Sequence, residues 1–332
     1  MIRLIWNRKG TSTATFFVVG LVASAAALAL AQPVWPAKPI TYVVPYPPGG
    51  TTDILGRALG QRLSAALGVP VVVDNKPGAT GTIGSAFVAR AAPDGHTLLG
   101  TSIGPQAIVP SLGVKLPYNP VAAFEPVTLI GTVPHVLVVG KASPYRSVAD
   151  LIAAAKAKPG TLTFASGGSG TILQMQGELL KLQAGIDMTH VPYKGDTPAL
   201  QDVLAGHAAL MFAPVAAASQ HVRSGNLRAL AVTSAERLKG LPDVPTMAEV
   251  GVPDFVAEQW QALYAPAGTP RPIIDRLQAE VARIIREPEL MERLEGLGVT
   301  PIGGTPEQLA QRQREDTARW SKVISTAGIK PE

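Results

Sequence analysis

Tyr42-Val43-Val44-Pro45-Tyr46-Pro47-Pro48-Gly49-Gly50-Thr51-Thr52-Asp53 is the stretch on which the fold turns. A β-branched run ends in prolines and two glycines, and an amphipathic pattern then takes over through 53–67. That is a strand, a glycine-rich turn and a helix, the βα step from which α/β proteins are assembled. The same device returns as Val73-Asp74-Asn75-Lys76-Pro77-Gly78-Ala79-Thr80-Gly81 and as Phe164-Ala165-Ser166-Gly167-Gly168-Ser169-Gly170-Thr171.

A helix N-terminus leaves backbone N–H groups unpaired and carries roughly half a positive elementary charge, so glycines there let an anion approach the donors closely. Three such ends can grip an anion without any arginine. Hydroxyls of Thr51, Thr52, Thr80, Ser166, Ser169 and Thr171 add donors, and the small residues leave room for a ligand. Each loop taken alone is also an ordinary βα connection; the threefold recurrence is what points to a site. Asp53, an acid in a first helical turn, either compensates the dipole or orders waters or an amine on the ligand.

Outward from these loops the alternation continues. Strands are predicted at 40–44, 69–73, 97–100, 136–139, 162–165, 188–191, 209–212 and 228–232, short and mostly apolar as buried parallel strands are. Helices are predicted at 53–67, 82–91, 148–157, 172–184, 198–205, 272–285 and 306–324. Ser147 precedes one helix, Thr269 and Thr305 precede prolines at two others, and Gly185 and Gly206 follow helix ends. The expected class is α/β, with parallel sheets covered by helices. No linker separates two independent domains, so two interleaved lobes are expected: 32–133 with 258–332, and 134–257, with crossings near 132–135 and 257–260.

The N-terminus has a basic start with Arg3, Arg8 and Lys9, an apolar run to about residue 30, and Ala29-Leu30-Ala31 before Gln32. This reads as a signal peptide over 1–31. Removing its three cations and no acids lowers the net charge from +5 to +2, which leaves little support for nucleic-acid binding. With no cysteine there is no disulfide, thiolate metal site, cysteine nucleophile or lipid-modified cysteine, so a freely diffusing periplasmic protein is expected, not a lipoprotein.

Enzyme motifs are thin. Gly100-Thr101-Ser102-Ile103-Gly104 matches the nucleophile-elbow pattern, which would make Ser102 the nucleophile of a secreted serine hydrolase. A five-residue pattern with two glycines arises easily among 33 glycines, and no oxyanion segment of the usual kind precedes it. Gly78, Gly81 and Gly84 have the wrong spacing for a dinucleotide fingerprint, and there is no phosphate loop. His96, His135, His190, His207 and His221 are scattered without a metal-binding pair. No cofactor is expected.

Val44 to Asp53, Asn75 to Gly81, His190-Val191-Pro192-Tyr193-Lys194-Gly195 and Leu230-Ala231-Val232-Thr233-Ser234 together make the chain resemble the Bug-type receptors of tripartite tricarboxylate transporters, over essentially its full mature length. The resemblance implies a type II periplasmic-binding fold, a cleft between two lobes, hinge closure on a small carboxylate, large and small membrane subunits as partners, and a monomer. It assigns one carboxylate to Tyr46, Gly49, Gly50, Thr51, Thr52 and Asp53 and to Gly78, Ala79 and Thr80. The rest of the ligand would face Ser166, Gly167, Gly168, Ser169, Gly170, Thr171, Tyr193 and Lys194, with Thr101 and Ser102 lining the cleft. Gln174 and Ala213 depart from the family's frequent histidine and acid, which favours a plain di- or tricarboxylate or an aromatic acid over an amino acid. A sensory co-receptor for the same ligand class is the alternative role.

Overall fold

The computed structural model describes residues 35–330, so the signal-peptide reading lies outside the described residues. From Lys38 onward the chain forms one compact unit. In chain order its strands are β1 (Ile40–Val44), β2 (Val71–Asn75), β3 (Thr97–Ser102), β4 (Phe124–Val133), β5 (His135–Gly140), β6 (Thr163–Ser166), β7 (Thr189–Pro192), β8 (Leu210–Pro214), β9 (Leu227–Val232), β10 (Gln259–Pro266) and β11 (Thr300–Pro301). The helices of eight residues or more are α1 (Thr51–Leu67), α2 (Thr82–Ala89), α3 (Val148–Ala157), α4 (Ile172–Ala184), α5 (Asp196–Ala205), α6 (Val215–Arg223), α7 (Arg271–Ile284), α8 (Pro288–Gly296) and α9 (Pro306–Ala327).

The strands form two sheets, one per lobe: β11-β4-β10-β3-β1-β2 and β7-β6-β8-β5-β9. Both are mixed, which corrects the expectation of parallel sheets. β1 pairs β2 and β3 in parallel, as β6 pairs β7 and β8, but β10 runs antiparallel to β3 and β4, and β5 antiparallel to β8 and β9. The reason lies in the route of the chain. β4 ends at Val133, Pro134 intervenes, and β5 starts at His135 in the other sheet. A strand that leaves one sheet for another has no βα crossover to make it parallel.

The registers place the functional edge. Gln261 lies opposite Ser102 at the end of β3, Gln259 opposite Val133 at the end of β4, and His135 opposite Pro214 at the end of β8. The carboxyl ends of the parallel strands in both lobes therefore face the crossings. In open α/β sheets that is the edge where ligands bind.

Local signals explain the element ends. Ser147 and Asp150 form a reciprocal capping box at α3, Thr305 and Gln308 do the same at α9 with Pro306 in its first turn, and Gly185 and Gly206 adopt left-handed conformations after α4 and α5. Thr269 behaves differently: Pro270 is the N-cap of α7, and the Thr269 hydroxyl donates to the Pro266 carbonyl at 2.7 Å. Sequence reading did not anticipate β4, β10, β11, α6 or α8.

The C-terminal helix α9 packs on β4 and on α4 of the second lobe. Its Trp320 is buried, and its Asp316 accepts from the buried Trp260 indole at 2.8 Å and from Arg312 at 2.6 Å. Buried side chains of both lobes belong to one continuous apolar cluster, from Val43 and Leu99 to Phe164, Phe212 and Trp320.

Candidate functional site

The first loop leaves β1 and enters α1 through Gly49 and Gly50. Gly49 has φ +90, and Gly50 is an N-cap with no side-chain hydrogen bond. The amides of Gly50, Thr51 and Thr52 donate to nothing among the described residues. Asp53 holds the loop in this shape. Its carboxylate is buried and accepts from the Gly49 amide at 2.9 Å, Asn75 Nδ2 at 2.9 Å and Arg57 Nε at 3.1 Å. Burial works to raise its pKa, but the bonds from Arg57, Gly49 and Asn75 outweigh it and hold the group below the ordinary carboxylate value. Asn75 also donates to the Tyr46 carbonyl at 3.1 Å, so one carboxylate ties the first loop to the second.

In the second loop Gly78 has φ +126, and Ala79 and Thr80 adopt φ +46 and +50, the left-handed region that side chains disfavour. A Cβ on Gly78 would run into Ile83, and one on Gly84 would meet the Lys76 carbonyl and Pro45. Ala79 and Thr80 are exposed, α2 has no side-chain cap, and neither of these two amides has an acceptor among the described residues. Lys76 turns away from the loop, paired with Asp74 at 2.9 Å and lying over the Phe87 ring.

Tyr46 and Ser102 share a hydrogen bond of 2.7 Å across the ends of β1 and β3. Burial pushes the Tyr46 phenol up, the bond to Ser102 acting against it, so the partner of the elbow-like serine keeps its proton and is no base. Thr101 is fully buried, and its hydroxyl has no partner among the described residues.

The second-lobe loop is bonded partly within itself, and the amides of Ser169 and Thr171 have no acceptor among the described residues. Ser166 Oγ accepts from the Gly168 amide at 3.2 Å and lies 2.7 Å from His190 Nε2, and Gln174 Oε1 accepts from the Gly170 amide at 2.8 Å. Thr171 caps α4, and its hydroxyl donates to the Gly168 carbonyl at 2.7 Å. A Cβ on Gly167 would collide with the Asp196 carboxylate, and one on Gly170 would lie 3.0 Å from Leu112 of the first lobe. Ser169 is half-buried. Tyr193 donates its hydroxyl to Asp202 at 2.6 Å, and that bond, with burial, pushes its pKa up to about 12. Lys194 is exposed, and Ala213 is fully buried within β8.

Sequence reading missed two groups at this edge. Gln261, near the start of β10, is buried and accepts from Thr52 Oγ1 at 2.9 Å. At the crossing, Gln176 Nε2 donates to both the Ala257 carbonyl and the Nδ1 of buried His135, at 2.5 and 3.1 Å. Nδ1 is thus an acceptor and the ring proton sits on Nε2; burial lowers the pKa of His135 to about 3. Neither group belongs to a glycine-rich loop. Among the described residues no cluster of His, Cys, Asp or Glu is placed to hold a metal.

The family model for the tripartite tricarboxylate transporter family receptor, TctC, matches residues 55–329. Rpa4515 of R. palustris, solved with adipate, is 37% identical, with a TM-score of 0.80 over 90% of this chain and 100% of its own. The periplasmic binding protein BugD is 34% identical, with a TM-score of 0.77 over 90% of this chain and 100% of its own. MatC from Rhodopseudomonas palustris, with bound malate, is 34% identical, with a TM-score of 0.76 over 87% and 100%. The two mixed sheets, the loops at their facing edges and these matches agree: this chain belongs to the TctC family of Bug-type solute-binding receptors, and it is a binding protein with the periplasmic-binding fold, not an enzyme.

Proposed function

We propose that this receptor captures a small di- or tricarboxylate or an aromatic acid in the periplasm, as a monomer freed of residues 1–31, and hands it to the membrane subunits of a tripartite tricarboxylate transporter. The observation that carries the reading is the set of open amides at Gly50, Thr51, Thr52, Ala79 and Thr80, at the starts of two helices in one lobe. Amides at a helix start are matched to a carboxylate by direction and by charge. Adipate in Rpa4515 and malate in MatC differ in chain length and in the hydroxyl but both carry two carboxylates, which supports a common grip on that group. No helix among the described residues is long and apolar enough to cross a membrane.

In this reading the ligand binds first to the lobe formed by 32–133 and 258–332. The lobe 134–257 then closes near the crossings, and Ser169, Thr171, Gln174, Tyr193 and Lys194 face the rest of the ligand. Gln174 and Ala213 carry no charge, so an amine on the ligand finds no counter-ion from them.

Thermal unfolding with malate, adipate, citrate, benzoate and their amides tests the reading. An acid present at about one hundred times its dissociation constant raises stability by about 2.7 kcal/mol, and the amide of the same acid should give no shift. Equal shifts for acid and amide would overturn the carboxylate grip. Uptake of the hit acid by cells lacking the gene tests delivery; unchanged uptake would remove the transport role.

A further inference from the structure

We propose that Gln261 is a ligand-binding residue of the first lobe, donating a side-chain N–H to the bound carboxylate; the inference rests on the carboxylate reading above. Gln261 lies directly across from Ser102 and beside Gly131, at the edge where β1 and β3 end. Its side chain is 1% exposed. Thr52 Oγ1 donates to its Oε1 at 2.9 Å, which satisfies one arm of the amide. The other arm, Nε2, is buried with no acceptor among the described residues.

A buried donor without an acceptor is destabilising, and an apolar side chain of the same length would avoid that penalty. An amide at this position has a use when an acceptor arrives from outside the fold. Its neighbours identify where. Thr52 is in the first turn of α1 and its own amide is open; Ser102, opposite, is bonded to Tyr46. Tyr46, Ser102, Gln261 and Thr52 therefore form a line of polar side chains along the edge on which the first loop stands. A carboxylate offers about four lone-pair directions. Backbone amides reach it from the loops, and Gln261 supplies a donor from the sheet itself. Because it is neutral, it also tolerates the Asp53 carboxylate in the same loop, which a lysine would instead attract and disturb.

Two variants of the full mature chain test this, read by calorimetric titration with whichever of malate, adipate, citrate or benzoate gives the largest melting shift in the wild type. Gln261→Glu keeps the shape and the acceptor for Thr52 but replaces the N–H2 with an anionic oxygen. Its affinity should fall at least about 100-fold near neutral pH and recover as the pH is lowered enough to protonate the new carboxyl. Gln261→Leu should weaken binding about 10-fold. If the Glu variant melts like the wild type and binds within threefold of it, Gln261 is a purely structural partner of Thr52 and the proposal is wrong. Should the Glu variant fail to fold, the Leu variant decides by the same threefold limit, with Gln261→Met as its replacement if Leu also unfolds. A wild type silent to all four acids removes the carboxylate reading, and this inference with it; that outcome is seen before any variant is made.

Discussion

In the first lobe, the amides of Gly50, Thr51 and Thr52 and of Ala79 and Thr80 have no acceptor among the described residues. In the second lobe, Ser166 Oγ and Gln174 Oε1 take up the amides of Gly168 and Gly170, and Thr171 caps α4. The three loops look alike in sequence, yet side chains take up two amides of the second-lobe loop and, in the first lobe, only the Gly49 amide. The difference follows from what holds each loop. Asp53 fixes the first through Arg57, Asn75 and only one loop amide, whereas Ser166 and Gln174 each take an amide of the third from within and leave those of Ser169 and Thr171 open. A backbone grip fits any carboxylate, and a side-chain wall discriminates among the bodies attached to it.

Asp53→Ala should break this comparison most severely. It removes the acceptor shared by Arg57, Asn75 and the Gly49 amide, at a cost of about 2 kcal/mol because Arg57 stays half exposed to water, measurable by urea unfolding, and it should weaken every carboxylate alike. Because the folded pKa of Asp53 is depressed, its contribution is complete above the ordinary carboxylate pKa and is lost as the pH falls through the folded value. If Asp53→Ala costs less than the second-lobe Tyr193→Phe, the first loop is not held as described.

The crossing between the two sheets should show next. His135 stays neutral when folded down to about pH 3, whereas the unfolded chain takes up its proton below about 6.5. Its stabilising effect is therefore complete above 6.5 and declines as the pH drops toward 3. Between pH 7 and 5 the chain should lose about 2 kcal/mol on this account, and the loss should disappear in His135→Gln when urea midpoints are compared at the two pH values.

Tyr193→Phe should cost about 1 kcal/mol by removing the hydrogen bond to Asp202, and it should change the ranking of acids in the thermal panel while keeping the need for a carboxylate. A ranking left unchanged would argue against discrimination by the second lobe. The smallest effect is expected of Thr80→Gly. Relief of the left-handed backbone, offset by glycine's greater freedom when unfolded, should leave stability within about 1 kcal/mol of the wild type. Calorimetry should nevertheless show weaker binding, because the open amides are no longer held in place.

Much of the frame was legible because its signals are local. α3 and α4 begin and end where the sequence predicts, since Ser147 and Thr171 cap their starts and Gly185 ends α4 in a left-handed turn. β4 and β10 were not legible. β4 runs straight into β5 with no helix between them, and β10 pairs antiparallel with strands from distant segments on both sides. The mixed pairing of both sheets escaped notice for the same reason. At the site, the glycine-rich loops were readable from composition, but Gln261 and the His135–Gln176 pair were not, because nothing in their own segments marks them.

The amino-acid sequence by itself determined the βα steps, the glycine-rich loops and the family, because strand patterns, caps and turn residues act over a few neighbouring positions. Only the tertiary structure decided which loop amides stay open and which side chains stand beside them. That outcome depends on contacts such as Thr52 with Gln261, 209 residues apart, which form only when β10 returns to the first sheet.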